Sequence, residues 1–438
     1  MAEVLIIGAG LAGLSAGYHA EQRGIDYEIL EAGPTVGGLS RTVERDGFLF
    51  DFSGHLLHLK DPYFKELIND LLVGNLDAIS RNAVIFSHGT YTRYPFQANL
   101  FGLPPLVVKE CLQEFAKAYY TNDDLPTNAY ETFQEWIEAK LGAGIGRHFM
   151  FPYNEKLWTV PTSQMTCEWL SEYVPKPNLE DVFTGAFEDQ TKGFGYNAEF
   201  RYPRLGGIQA LCDALAARTP RIRLSERVVS VEPRGRRVRC ASGREERYER
   251  LISTMPLKTL CGLLEGDTPA EVREAVGALR HNSVMIVNVG IRGDRVTDRH
   301  WIYLPEPEFI AYRVGCYSNF SRAMAPPGTS SFYLEIAYQR EWNVDKEALV
   351  SRAIDQMSDL GLLHSRDDVL VTDVMDVDCA YVIYDHDRTR ARRTLMEYLS
   401  RFGIHSIGRY GNWEYSGMEE ALKQGKIAIE RPNSTEFK

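Results

Sequence analysis

The sequence has little of what marks a secreted, membrane-embedded or nucleic-acid-binding protein. Its seven cysteines (Cys111, Cys167, Cys212, Cys240, Cys261, Cys316 and Cys379) are scattered, odd in number and free of Cys-x-x-Cys spacing. That pattern argues against a disulfide framework and against a zinc or other metal site, and it predicts a reducing, cytoplasmic compartment. No apolar run approaches the roughly 18 residues a membrane span needs, and the first residues lead straight into a strand without a basic stretch, so neither a span nor an export signal is expected. Positive charge is in deficit: 49 basic against 60 acidic side chains leave a net charge of −11. This excludes a general binder of nucleic acid or anionic membrane and obliges any anionic ligand to find a local basic pocket. Repeats and low-complexity tracts are absent too. With 44% hydrophobic and 25% charged residues over 438 positions, the chain has an ordinary globular composition and length enough for more than one core.

What is present begins at Val4. A buried-strand run leads into Gly8-x-Gly10-x-x-Gly13, then into an Ala/Leu/Gly-rich helix, then into a second strand, Tyr27 to Leu30, that stops at Glu31. Gly8 permits the tight turn, Gly10 lets a pyrophosphate approach the backbone at a helix N-terminus, Gly13 lets helix and strand pack closely, and Glu31 is placed to accept hydrogen bonds from a ribose. Gly37-Gly38-x-x-Arg41 follows and resembles the glycine pair of FAD proteins of the amine-oxidase and glutathione-reductase type, where backbone and arginine meet the pyrophosphate from its other side. FAD is therefore the expected cofactor.

Further along, Gly54-His55 lies in a glycine-centred turn at the distance where such proteins reach the isoalloxazine, and His58 reads as an ordinary surface or core histidine. The predicted organisation is α/β: a Rossmann-like FAD-binding domain in three pieces (1–60, 201–280 and 381–438), a mainly helical substrate domain with aromatic loops (61–200) and a β-rich substrate domain (281–380). Apolar spacing at i, i+3, i+4 predicts helices in PYFKELINDLL, LPPLVVKECLQEFAKAYY and AYETFQEWIEAKLG, with a short β segment between the first two. Residues 149–203 read as loop-rich, aromatic and proline-studded. Leu251 to Pro256 reads as a strand returning to the FAD sheet. A last helix begins near Met418, its N-terminal amides available to the flavin.

With these pieces in view, the chain resembles the UDP-galactopyranose mutases, the eukaryotic branch more than the bacterial one, over nearly its whole length. The matching stretches are Gly54-His55, Tyr94-Pro95-Phe96-Gln97, FMFPYNEKLWTVP from Phe149, Asn197, Trp301 to Tyr303, Tyr312-Arg313 and Gly408-Arg409 through Tyr415. The resemblance implies unusual chemistry. Reduced flavin N5 attacks the anomeric carbon of a nucleoside-diphosphate sugar, the diphosphate leaves, and the ring of the covalent adduct opens and recloses between pyranose and furanose. It implies roles as well: His55 and Arg409 beside the flavin; Arg313, Tyr303, Tyr415 and Asn197 on the diphosphate; and Tyr94, Phe96, Gln97, Phe149, Tyr153, Asn154 and Trp158 around the nucleotide. A reductant such as NAD(P)H is a further partner it allows.

The chain also departs from the pattern. The family's second diphosphate arginine falls at Ser171-Glu-Tyr173-Val174, so Tyr173 stands near the vacated place, and Arg388 stands where the family has a phosphate-binding tyrosine. An exchange of roles follows as an expectation, with Arg388 supplying the missing cation. Two other functions stay open: an FAD oxidoreductase of the amine oxidase, protoporphyrinogen oxidase or desaturase type, and a flavin-binding protein without catalysis.

Overall fold

The computed structural model describes residues 2–121, 125–170, 173–195 and 198–431, and two seven-stranded sheets carry its fold. In the first sheet, strand Ala2–Ile7 runs parallel to Tyr27–Leu30 on one side and to Glu245–Ser253 on the other, with Leu5 opposite Glu28 and Leu251. Ile222–Arg223 and Ile404–Ser406 extend the parallel array at its two flanks. The segment ending LIS, expected to return to the FAD sheet, thus pairs directly with the first strand. Such strands are buried on both faces, which is why they read as continuous apolar runs and not as alternations. The hairpin Val228–Glu232 and Arg237–Cys240 adds antiparallel strands to the amino-terminal half of Glu245–Ser253.

Helix Leu11–Gln22 packs beside the sheet, and Met418–Glu430 packs on that helix. The crossing depends on Gly425, where a Cβ would come within 2.4 Å of the Ala12 carbonyl oxygen.

The second sheet runs Val369–Val382, His281–Arg292, Thr329–Tyr338, Arg313–Cys316, Trp301–Tyr303, Ala83–Ser87, Thr90–Arg93. Neighbours are antiparallel except Trp301–Tyr303 and Ala83–Ser87, which are parallel. The β segment lying between the first two helices therefore belongs to this sheet. One sheet face buries Met285, Val287, Leu334 and Ile336 against Ala353, Ile354 and Met357, the last three from helix Lys346–Asp359. The other face carries Tyr303, Arg313, Tyr333 and Glu335 into the interior cavity.

The three helices expected from apolar spacing form at Pro62–Leu71, Pro105–Thr121 and Phe133–Ile145. The expectation of loops from residue 149 needs correction, because Phe151–Trp158 and Leu179–Phe187 are helical. Pro152 sits near the start of its helix, which continues directly from the π-helical turn Gly146–Met150. Among the described residues no helix is long and apolar enough to cross a membrane.

Candidate active site

A cavity of about 1130 Å³ is walled by the carboxyl ends of the parallel strands and the inward face of the second sheet. Its dinucleotide end is built from local sequence. After Ile7 the chain turns at Gly8, whose φ of 96° suits glycine, and a Cβ at Gly13 would lie 1.9 Å from the Gly8 carbonyl oxygen. Helix Leu11–Gln22 starts at Gly10 without a side-chain cap, so its amino-terminal amides face the cavity unclaimed by a cap. The Glu31 carboxylate is held by two backbone amides, Ala9 N–H to Oε2 at 2.7 Å and Gly33 N–H to Oε1 at 2.7 Å, and each oxygen keeps a lone pair for a hydroxyl. Gly37, Gly38 and the start of helix Met418–Glu430 complete this end. An uncapped helix terminus, a backbone open at Gly10 and a fixed carboxylate are what a dinucleotide such as FAD requires.

The opposite end is built by strand register. Arg313 lies between Tyr303 on one neighbouring strand and Glu335 on the other. Its guanidinium makes a two-pronged ion pair with Glu335, Nε to Oε2 and Nη2 to Oε1 at 3.0 Å, and Nη2 also donates to Ser53 Oγ at 3.3 Å. Burial works against the Arg313 charge, but the Glu335 carboxylate more than restores it, so its pKa stays well above the ordinary value. Arg409 lies over the rings of Tyr415 (4.6 Å) and Tyr381 (5.3 Å) and donates Nη1 to the Ser416 carbonyl at 2.7 Å.

Phenols fill much of the wall between them. Tyr94 stacks on Tyr303 at 4.8 Å, Tyr153 meets Tyr303 edge-on at 5.3 Å, and Tyr173 meets Tyr415 edge-on at 4.7 Å. Burial raises the pKa values of Tyr94, Tyr153, Tyr303 and Tyr381, so these hydroxyls are neutral hydrogen-bonding groups at physiological pH. His55 is neutral as well: burial first, and the Arg409 charge second, lower its pKa to about 4. Phe149 lies flat against Tyr153 (5.2 Å), Gln97 donates Nε2 to the Pro175 carbonyl at 2.8 Å while its Oε1 has no partner among the described residues, and Asn154 donates to the Met150 carbonyl at 2.7 Å.

Residues 11–431 match the sequence profile of flavin containing amine oxidoreductases. The chain belongs to that family. A crystal structure of reduced UDP-galactopyranose mutase superposes on this flavin enzyme with a TM-score of 0.91 and 26% identity, covering 98% of this chain and 93% of that one. The mutase resemblance seen in the sequence thus extends to the whole fold. Putrescine oxidase bound to putrescine shares the architecture at a TM-score of 0.68 and 16% identity, covering 98% of each chain. Protoporphyrinogen oxidase 2 of Arabidopsis thaliana is 34% identical over 68 residues, which are 16% of this chain and only 13% of that protein.

Of the residues singled out in the sequence, Gly8, Gly10, Glu31, Gly37, Gly38, Gly54, His55, Tyr94, Gln97, Phe149, Tyr153, Asn154, Tyr173, Tyr303, Arg313, Arg409, Tyr415 and Met418 all line the cavity of this flavin enzyme. Gly13 packs behind the turn, and Arg41 sits outside the wall with its guanidinium 5.0 Å from the Phe52 ring centre. Asn197 lies outside the described residues. Phe96 and Trp158 stand one layer back: Phe96 is fully buried behind Phe149, stacked at 5.1 Å, and Trp158 is fully buried against Trp169 and Tyr415.

The expected role of Arg388 is wrong. Its side chain is buried away from the cavity, donating Nε and Nη2 to the Trp413 carbonyl and Nη1 to Glu168, with the guanidinium 3.8 Å from the Tyr384 ring centre. The exchange of roles with Tyr173 falls with it. Sequence reasoning also missed Ser53, Tyr333, Tyr381 and, above all, Glu335, a carboxylate only 2% exposed at the centre of the chamber.

Proposed function

We propose that the protein is a flavin-dependent mutase that interconverts pyranose and furanose forms of a nucleoside-diphosphate sugar, UDP-galactopyranose and UDP-galactofuranose or a related pair, with reduced FAD as the working form and a donor such as NAD(P)H to reduce it. The observation that carries this reading is the chemistry of the chamber: two partly buried guanidinium groups, Arg313 and Arg409, among phenol hydroxyls. That wall suits an anionic, hydroxyl-rich ligand and opposes an apolar or cationic one, since buried cations seek anionic partners. The 26% identity to a reduced UDP-galactopyranose mutase over almost the whole chain supports it.

When bound, the reduced flavin supplies a nitrogen nucleophile for the sugar's anomeric carbon. The chain's own groups do the rest. Arg313 takes up charge on the departing diphosphate through charge-assisted hydrogen bonds, Tyr303 and Tyr415 add neutral donors, and Arg409 holds its positive charge beside His55 at the flavin end. Phe149, Gln97 and Asn154 hold the nucleotide so that the anomeric carbon stays near its target. His55, neutral at working pH, offers a ring nitrogen beside the flavin without adding a charge.

Incubating dithionite-reduced protein with a panel of nucleoside-diphosphate sugars should give an isomer of unchanged mass, with no oxidant consumed. One peroxide per product and no isomer would instead establish an oxidoreductase, the reading favoured by the family profile and the short match to protoporphyrinogen oxidase.

A further inference from the structure

Lys156 is a charged residue behind the chamber wall. It belongs to helix Phe151–Trp158, whose Tyr153, Asn154 and Leu157 line the cavity, but it does not line the cavity itself. The side chain is half-buried, and among the described residues its ammonium bonds two backbone carbonyls and no carboxylate: Nζ donates to the Leu304 carbonyl at 2.7 Å and to the Glu306 carbonyl at 2.5 Å. Those carbonyls follow directly on Tyr303, at the end of strand Trp301–Tyr303. Helix and strand end therefore meet along one seam that is tied twice. On the cavity side the rings of Tyr153 and Tyr303 meet edge-on at 5.3 Å; behind it, the Lys156 ammonium spans the gap.

The tie is part of a longer brace. The Glu306 carboxylate accepts the His88 N–H at 2.7 Å, the rings of His88 and His148 are joined Nε2 to Nδ1 at 3.1 Å, and His148 Nε2 meets Glu110 at 2.9 Å, with Arg147 on the same carboxylate. His88 sits in the turn between strands Ala83–Ser87 and Thr90–Arg93, which lead on to Tyr94 and Gln97, and His148 sits in the π-helical turn that presents Phe149. Within this brace Lys156 supplies the charge-assisted link between the helix of Tyr153 and the strand of Tyr303, and such bonds are roughly twice as strong as neutral ones. Burial works against the charge and lowers the Lys156 pKa to about 8, although Glu306 and Glu308 in the following loop oppose the fall. A methionine would fill the space without that cost, but it could not hold two carbonyls in place.

We infer that Lys156 is a positioning residue for the nucleotide end of the chamber: by pinning helix Phe151–Trp158 to the end of strand Trp301–Tyr303, it fixes Tyr153 and Asn154 relative to Tyr303 and so sets the corner that receives the ligand. This rests on the reading of that end as a nucleotide site. The corner holds a part of the ligand that does not react, so its shape matters equally in the ground state and the transition state. Loss of the tie therefore falls on binding and not on turnover.

The test uses FAD-loaded protein with UDP as the probe, titrated by calorimetry, beside KM and kcat for the proposed isomerisation. Lys156→Met should weaken UDP binding about tenfold and raise KM to match, with kcat within about threefold of the parent and flavin retained through gel filtration. The proton gives a second reading that a merely structural lysine would not move. As pH rises from about 7 to about 9 the Lys156 ammonium is lost and its bonds to Leu304 and Glu306 are no longer charge-assisted, so wild-type affinity for UDP should fall about threefold or more, while the Lys156→Met profile stays flat. If Lys156→Met does not fold, Lys156→Gln, which keeps a neutral donor, takes its place and should be equally flat. A variant that binds UDP within about twofold of wild type, a wild-type affinity that is flat over that pH range, or a loss confined to kcat overturns the inference and leaves the proposed function standing. Failure of the wild-type protein to bind UDP overturns the proposed function and the inference together.

Discussion

Replacing Arg388 by methionine separates a structural arginine from a catalytic one. The methionine keeps much of the side-chain volume and removes the charge, leaving the Trp413 carbonyl without the Nε and Nη2 donors that now hold it. An orphaned buried carbonyl costs roughly 1–3 kcal/mol, and loss of a desolvated guanidinium stacked 3.8 Å from the Tyr384 ring centre adds about 1–2 kcal/mol. The pair with Glu168 counts for little, because Glu168 is 44% exposed and the Nη1–Oε2 distance is 3.2 Å. Trp413 itself sits at a φ of 51°, a conformation that its bound carbonyl helps to hold. The sum is about 2–5 kcal/mol. Unfolding entropy near 2.1 cal/mol/K per residue over 438 residues converts that to a fall in Tm of about 2–5 °C. The assay is thermal unfolding of the FAD-loaded variant beside kcat/KM for the proposed isomerisation, which should change by less than about fivefold. A diphosphate contact would instead cost a hundredfold or more, as roughly 3 kcal/mol of lost transition-state stabilisation. A variant that melts within 1 °C of the parent, or one that keeps its fold and loses a hundredfold in kcat/KM, refutes the reasoning.

Glu31→Ala should raise the FAD dissociation constant at least tenfold, read as flavin retained through gel filtration, and a parent protein that takes up NAD in place of FAD would defeat the dinucleotide assignment. Burial pushes the Asp51 carboxyl up to about 7 against the opposing hydrogen bonds from Thr42 and Tyr202. A folded pKa above the unfolded one means the group's stabilising contribution is complete below about pH 4 and is lost as pH rises through 7, roughly 4 kcal/mol in all. Asp51→Asn should therefore gain stability relative to the parent between pH 5 and 8 in urea unfolding, and a difference that stays constant with pH would contradict this. With its pKa lowered to about 4, His55 stays neutral over the working range. The pH profile of kcat/KM should then show no inflection from His55 between pH 5 and 8, while His55→Ala should cut turnover by orders of magnitude and leave FAD bound; an inflection near 6.5 that vanishes in the variant would refute the neutral assignment.

The dinucleotide end was legible because its chemistry is local: Gly8 to Glu31 forms one strand, turn, helix and strand, so the spacing of the residues is the spacing of the site. The chamber was legible only in part. Glu335 alternates with Leu334 and Ile336 in Thr329–Tyr338, and alternation in a strand is normally read as one wet and one dry face. Here both faces are covered, and the polar one faces the cavity, which nothing within the strand announces. Arg388 misled for a related reason. Its position along the sequence carries no direction, but in helix Arg388–Ser400 the i, i+4 pair Arg388 and Arg392 turns inward to the Trp413 and Asn412 carbonyls, while Arg390 is 82% exposed.

The packing of Met418–Glu430 on Leu11–Gln22 has a consequence in time. Ser15 Oγ donates to the Leu422 carbonyl at 2.6 Å, across 407 positions of chain, and the amides at the start of the later helix close the crevice opened by the earlier one. At 5–20 residues per second a ribosome needs roughly 20 to 80 s to travel that distance. Throughout that interval the glycine fingerprint is already made, but the wall that Met418 and Ala421 supply does not exist. Flavin capture therefore waits for Met418–Glu430 to be made and packed, and a truncation that removes this helix should leave an intact fingerprint that retains the cofactor poorly.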